Sequence, residues 1–186
     1  MFKLSIAFVS ALLYGVAYGS PAVQNTVCSP SAIDTTAKFF IKSAAATSLV
    51  WQAEDVSSDN FIFVDLQTQA NGSNDQLWSV IPNSNSNSFS FVSAGVASAN
   101  ICANGDGGPL DSAACPDIIS ARQAPQFATW SVSCQSCASN GATGCQFQAV
   151  LEGQCADFLD DTDTTVKLDD CATNQPNQLW DIVASA

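Results

Sequence analysis

Three tryptophans, Trp78, Trp130 and Trp180, stand 52 and 50 residues apart. The first and third sit in nearly the same text: Asn74-Asp75-Gln76-Leu77-Trp78-Ser79-Val80-Ile81 against Pro176-Asn177-Gln178-Leu179-Trp180-Asp181-Ile182-Val183. The middle copy, Phe127-Ala128-Thr129-Trp130-Ser131-Val132, keeps the Trp and little else. Self-similarity at a fixed period means that one supersecondary unit recurs and that the copies bury their apolar faces against each other. The units run approximately over 28–82, 83–135 and 136–186.

Each unit reads as four short strands separated by turn-forming text. The first has Lys38–Lys42, Ser48–Gln52, Phe61–Leu66 and Gln76–Ile81; the second Ser88–Val92, Ala99–Ala103, Ile118–Ala121 and Phe127–Ser133. The third has Gln146–Leu151, Gly153–Phe158, Thr164–Leu168 and Gln178–Val183. Between them lie runs such as Asn104-Gly105-Asp106-Gly107-Gly108, where Gly and Asn tolerate positive φ and Asp bonds its own backbone. No window sustains a 3.6-residue period. The expected fold is therefore all-β: twelve short strands in three repeats, closed or nearly closed.

Composition narrows the function. Asp and Glu number 17 against 5 Lys and Arg, a formal charge of −12, and there is no His. Phosphate binding needs clustered cations, so no nucleic-acid partner is expected. Without imidazole, the Ser-His-Asp and Cys-His machineries and imidazole-ligated zinc sites are excluded. No motif singles out a carboxylate pair for glycoside hydrolysis, and no catalytic activity is expected. The acidic run Asp157–Asp163 lacks the Gly turn and closing Glu of a calcium loop, so neither metal nor cofactor is expected.

Met1 to Gly19 has the form of a secretory signal peptide. Lys3 precedes the apolar run Leu4–Leu13, and Ala17-Tyr18-Gly19 suits cleavage after Gly19. Residues 20–186 form the expected single mature domain, secreted and with no membrane span. All eight Cys follow the cleavage point, and an even count in an oxidising compartment reads as disulfides. Asn71-Gly72-Ser73 is a glycosylation sequon.

The Gln-x-Trp element recurring near fifty residues resembles the ricin B-type lectin family, which are β-trefoils. The third unit carries the likeness in full: Cys155-Ala156-Asp157, then Val166-Lys167-Leu168-Asp169-Asp170-Cys171, then Asn177-Gln178-Leu179-Trp180. The resemblance implies bridges Cys155–Cys171 and Cys102–Cys115, each contributing about 3 kcal/mol. The first unit, with Ala53 and Gln69 at the corresponding positions, lacks one. Cys28, Cys134, Cys137 and Cys145 can form two more bridges at one end of the barrel, in pairs that sequence leaves open.

The resemblance also implies a sugar site in each unit: an Asp, an aromatic plate near the second Cys, and an Asn-Gln pair before the Trp. A pyranose offers a C–H face to a ring and paired hydroxyls to carboxylate and amide. Carried over, the third unit supplies Asp157, Asn177 and Gln178, with Asp169 at the plate position. The first supplies Asp55, Asp75 and Gln76, with Leu66 or Gln67 at the plate. The second, with Asn104 and Ala113, is expected to hold no site. Gln76 and Gln178 serve equally well as partners for backbone groups near the Trp, and Asp55 and Asp157 as turn carboxylates. The three repeat Trp, and Trp51, are expected in the core. The expected function is secreted, non-catalytic carbohydrate binding with a glycan or glycoprotein as partner. The alternative is a β-trefoil with degenerate sugar sites that binds a secreted protein, such as a protease inhibitor.

Overall fold

The computed structural model describes residues 27–56, 61–83, 88–95, 102–103, 108–111, 129–158 and 164–185. The expected export segment, the strand expected over Ile118–Ala121 and the Cys102–Cys115 bridge fall outside them. Thirteen strands form within the described residues, not twelve: β1 Phe39–Ser43, β2 Leu49–Val56, β3 Phe61–Thr68, β4 Trp78–Pro82, β5 Phe89–Ser93, β6 Cys102–Ala103, β7 Leu110–Asp111, β8 Trp130–Ser133, β9 Ser136–Ala138, β10 Gly141–Ala149, β11 Cys155–Asp157, β12 Lys167–Asp169 and β13 Trp180–Ala184.

Six of them close a ring of antiparallel pairs: β1 with β4, β4 with β5, β5 with β8, β8 with β10, β10 with β13, and β13 back to β1. Closure removes the unpaired edges that an open sheet this short would expose. Each repeat Trp opens a ring strand and is paired on both sides: Trp78 with Phe39 and Ser93, Trp130 with Phe89 and Ala149, Trp180 with Ser43 and Cys145.

Three hairpins, β2–β3, β6–β7 and β11–β12, cap one end. They meet one another in pairs, through Phe63 and Asp111, Asp65 and Thr165, and Pro109 and Lys167. Leu66 N donates to Thr164 O at 2.8 Å, and Leu110 N to Val166 O at 2.9 Å. Two described strands fall where the repeat text suggested none: β7, paired with β3 and β6, and β9, paired with β10 in the link between units two and three.

That link holds the cysteines whose pairing sequence left open. Cys28 joins Cys137, and Cys134 joins Cys145. Cys28 and Cys134 also exchange backbone hydrogen bonds of 2.9 and 2.8 Å, so the N-terminal segment is held by both bond types. Cys155 and Cys171 are joined across the third cap hairpin.

Trp51 occupies the centre of the core. Its ring lies edge-on to Trp180 at 5.3 Å, Phe147 at 5.5 Å, and Trp78 and Phe91 at 5.9 Å. All four Trp are fully buried. Such edge-to-face contacts add to the area a Trp removes from water.

Candidate functional site

Gln76 and Gln178 do not begin strands, as the repeat text suggested. They close one-turn 3-10 helices, Asn74–Gln76 and Pro176–Gln178, in which Leu77 N bonds Asn74 O and Leu179 N bonds Pro176 O. The turn aims each Gln side chain inward, leaving it 1% exposed. Gln178 Nε2 donates to Asp157 Oδ2 and to Asp170 O, both at 2.8 Å. Its Oε1 accepts from Ala172 N at 2.8 Å and from Gln146 Nε2 at 3.2 Å. A carboxamide has two donor hydrogens and two acceptor lone pairs, so Gln178 is saturated. It positions Asp157 and the loop 170–172.

Gln76 repeats the pattern in the first unit. Its Oε1 accepts from Ala70 N at 2.8 Å, and its Nε2 donates to Thr68 O at 3.0 Å and Gln52 Oε1 at 2.9 Å. Gln52 thus stands where the third unit has Asp157. The indoles agree: Trp78 Nε1 donates to Trp51 O at 3.2 Å, and Trp180 Nε1 to Ala156 O at 3.1 Å. Trp51 matches Ala156, Val50 matches Cys155, and Gln67 matches Asp169 by strand register.

This corrects the placement of Asp55 and Ala53. At the third unit's spacing from Trp78, these two residues would stand in the places of Asp157 and Cys155. The β2–β3 hairpin is three residues longer than its third-unit counterpart between equivalent positions, so every residue before it shifts by three. Asp55 lies farther along β2, opposite Ile62; its side chain is outside the described part of the structure. Asp75 is exposed, and its carboxylate lies over Gly95, where a Cβ would fall 2.0 Å from Oδ1. Asn177 is half-buried, and its carbonyl accepts from Phe158 N at 3.1 Å.

Asp157 is 3% exposed. Burial pushes its carboxyl above the ordinary range; the Gln178 bond opposes this, and the Asp169 charge adds to it. Asp169 itself is exposed, pairs with Cys155 in the hairpin, and supplies no ring. In the first unit Leu66 is buried and Gln67 exposed. Neither unit therefore presents an aromatic plate at the position the resemblance implies.

The structure adds groups that the repeat text did not reveal. Gln146, on β10, also donates to Ala172 O at 3.1 Å and braces the third-unit clamp from the ring. At the cap, Glu54, Phe63, Asp65, Pro109, Thr165 and Lys167 line a cavity of about 430 Å³. Glu54 is held above the usual carboxyl range by its hydrogen bond to Asp65, then by the Asp65 charge, then by burial. The signal for this pair was strand alternation: Gln52 and Glu54 share the face opposite to core-facing Trp51 and Ala53. Among the described residues no His, Cys, Asp or Glu cluster is arranged to hold a metal ion, and no helix is long and apolar enough to cross a membrane.

No protein-family sequence model matches the chain, and no curated protein sequence matches it. Solved structures do. The BEL beta-trefoil is 11% identical, covering 84% of this chain and 99% of that one, with a TM-score of 0.59. The fold is that of a β-trefoil. ThreeFoil, a designed 3-fold symmetric protein, is 12% identical over 78% of this chain and 97% of its own, with a TM-score of 0.57. The Polyporus squamosus lectin, solved with the epitope Neu5Aca2-6Galb1-4GlcNAc, is 17% identical over 78% of this chain, with a TM-score of 0.57. This chain spans 48% of that lectin. At these identities the likeness is one of fold.

Proposed function

We propose that this is a secreted, non-catalytic carbohydrate-binding β-trefoil whose principal contact lies in the third unit. Asp157 and Asn177 meet sugar hydroxyls there, and Gln178 holds Asp157 in place. The observation that carries this reading is the 2.8 Å bond from Gln178 Nε2 to Asp157 Oδ2, made by an amide that also ties down the loop 170–172. A fixed carboxyl beside a fixed loop lowers the ordering cost of polar recognition. The first unit offers the exposed Asp75 and, in Gln76, the positioning amide, while Asp55 stands three residues along β2 from the clamp. A neutral Gln52 stands in the carboxylate's place there, so it is the weaker site.

Export is part of the proposal, resting on residues 1–19 and on disulfides that persist in oxidising compartments. The test is a glycan array read with wild type, Asp157→Ala and Asn177→Ala. Binding that both substitutions abolish supports the third-unit site; an empty array, or binding indifferent to both, overturns it. The second reading, binding to a secreted protein, is favoured by one observation: Asp169 puts an exposed charge where a sugar plate belongs. Stoichiometric inhibition in a titration against secreted proteases, with an empty array, would select it.

A further inference from the structure

We infer that Asn71 carries an N-linked glycan, and that its first N-acetylglucosamine seats in a groove walled by Phe40, Leu77 and Val183. The sequon Asn71-Gly72-Ser73 follows β3 directly, in a tight turn with Asn71 exposed. Gly72 sits at φ 82°, and a Cβ built there meets nothing within 4 Å, so that side of the turn is open. A transferase can therefore reach the acceptor. The preceding residue, Ala70, is held by Gln76 through its N–H, which fixes where the acceptor points from.

The groove supplies the second observation. It has a volume of about 540 Å³, and Asn71 and Gly72 are part of its wall. Phe40, Leu77 and Val183 also line it, and Val183, on the last strand, is 38% exposed. Lys42, Gln69 and Ser185 contribute polar groups. An N-acetylglucosamine has an apolar C–H face and an acetyl methyl for the first set, and hydroxyls for the second. The third unit makes the same turn at Thr173-Asn174, with Asn174 at φ 59°, but carries no sequon. The modification is thus specific to the first unit.

In the transfer, Asn71 Nδ2 bonds to the anomeric carbon of a lipid-pyrophosphate-linked oligosaccharide. The bond from that carbon to the pyrophosphate oxygen breaks, the lipid pyrophosphate leaves with the electron pair, and the amide loses one proton. The inference rests on the export reading above, and the test separates the two. The full chain is produced in a eukaryotic secreting host and examined by intact mass and N-terminal sequencing. The expected product begins after Gly19 and carries extra mass that a peptide N-glycanase removes; Asn71→Gln and Ser73→Ala lack it. A secreted, processed chain without the extra mass overturns the glycan and leaves export standing; a retained chain with its leader intact overturns both. Array binding, measured on the same preparations, is expected to survive Asn71→Gln, so the sugar-binding reading stands or falls separately.

Seating in the groove is read by trimming the glycan to one N-acetylglucosamine with an endoglycosidase. The trimmed chain should melt about 2 °C above the fully deglycosylated one, and Val183→Ser should erase that difference. Equal melting temperatures in the wild-type background overturn the seating.

Discussion

Gln178 is where a residue's chemistry is decided by its neighbours. Its four bonding positions are all taken, by Asp157, Asp170, Ala172 and Gln146. An Asn-Gln pair in sequence looks like two ligand contacts; in the fold, Asn177 faces outward in part and Gln178 is internal scaffolding. Asp157, bonded to that amide, has its carboxyl raised mainly by burial, against the Gln178 bond and with the help of Asp169. A raised carboxyl binds its proton more tightly in the folded state than in the unfolded one. Its contribution to stability is therefore fully present below the ordinary value of 3.8 and is lost as pH rises through the folded value. Asp157→Asn keeps an acceptor for Gln178 and removes the charge. The expected outcome is a gain in melting temperature at pH 7 that shrinks as pH falls through the raised folded value and is gone below about 4, measured by paired thermal melts from pH 7 downward. A gain that is constant with pH would refute the assignment.

At the scale of the element, the cap hairpins differ although their Gln clamps agree. The β2–β3 hairpin has eight-residue strands, whereas β11 and β12 have three each. Long pairing holds the first hairpin through backbone bonds and through Trp51 beneath it. The short third hairpin has the Cys155–Cys171 bridge, with a sequence separation of 16. The bridge does for β11–β12 what extra ladder length does for β2–β3. Replacing both cysteines by Ala should lower stability by about 3 kcal/mol, read as a fall in the urea midpoint. A loss much below 1 kcal/mol would show that the hairpin needs no bridge. Strand positions in the first unit were legible because alternation there is clean. β9 and the early start of β10 were not, because Cys, Ser, Gly and Ala carry little periodic signal and their pairing is set by the bridges around them.

At the scale of the whole molecule, the ring, the cap and the core are one cooperative object. Trp51 contacts Trp78 of its own unit, Phe91 of the second, and Phe147 and Trp180 of the third. No unit can open without disturbing that cluster. Trp51→Ala should cost about 3–5 kcal/mol, and both variant and wild type should unfold in one transition seen alike by fluorescence and circular dichroism. Two separated transitions would mean that the units fold independently. The sequence placed Trp51 in the core without saying why a fourth Trp was needed. The structure answers that the first unit puts a Trp where the third puts Ala156, so one large ring fills the centre of a molecule whose three parts are unequal.

The repeat of Trp78, Trp130 and Trp180 was enough to determine an all-β, three-part fold and which large side chains it buries. A Trp opening a strand at a fixed period leaves the chain few other ways to remove that area from water. The identity of the clamp partners was a tertiary matter. Gln52 replaces Asp55 because hairpin length, invisible in a count from the Trp, sets which residue reaches Gln76. The pairing of Cys28 with Cys137 and of Cys134 with Cys145 was decided in the same way. Four cysteines gathered at one end of a barrel allow several connectivities, and only the approach of the N-terminal segment to β8 and β9 selects one.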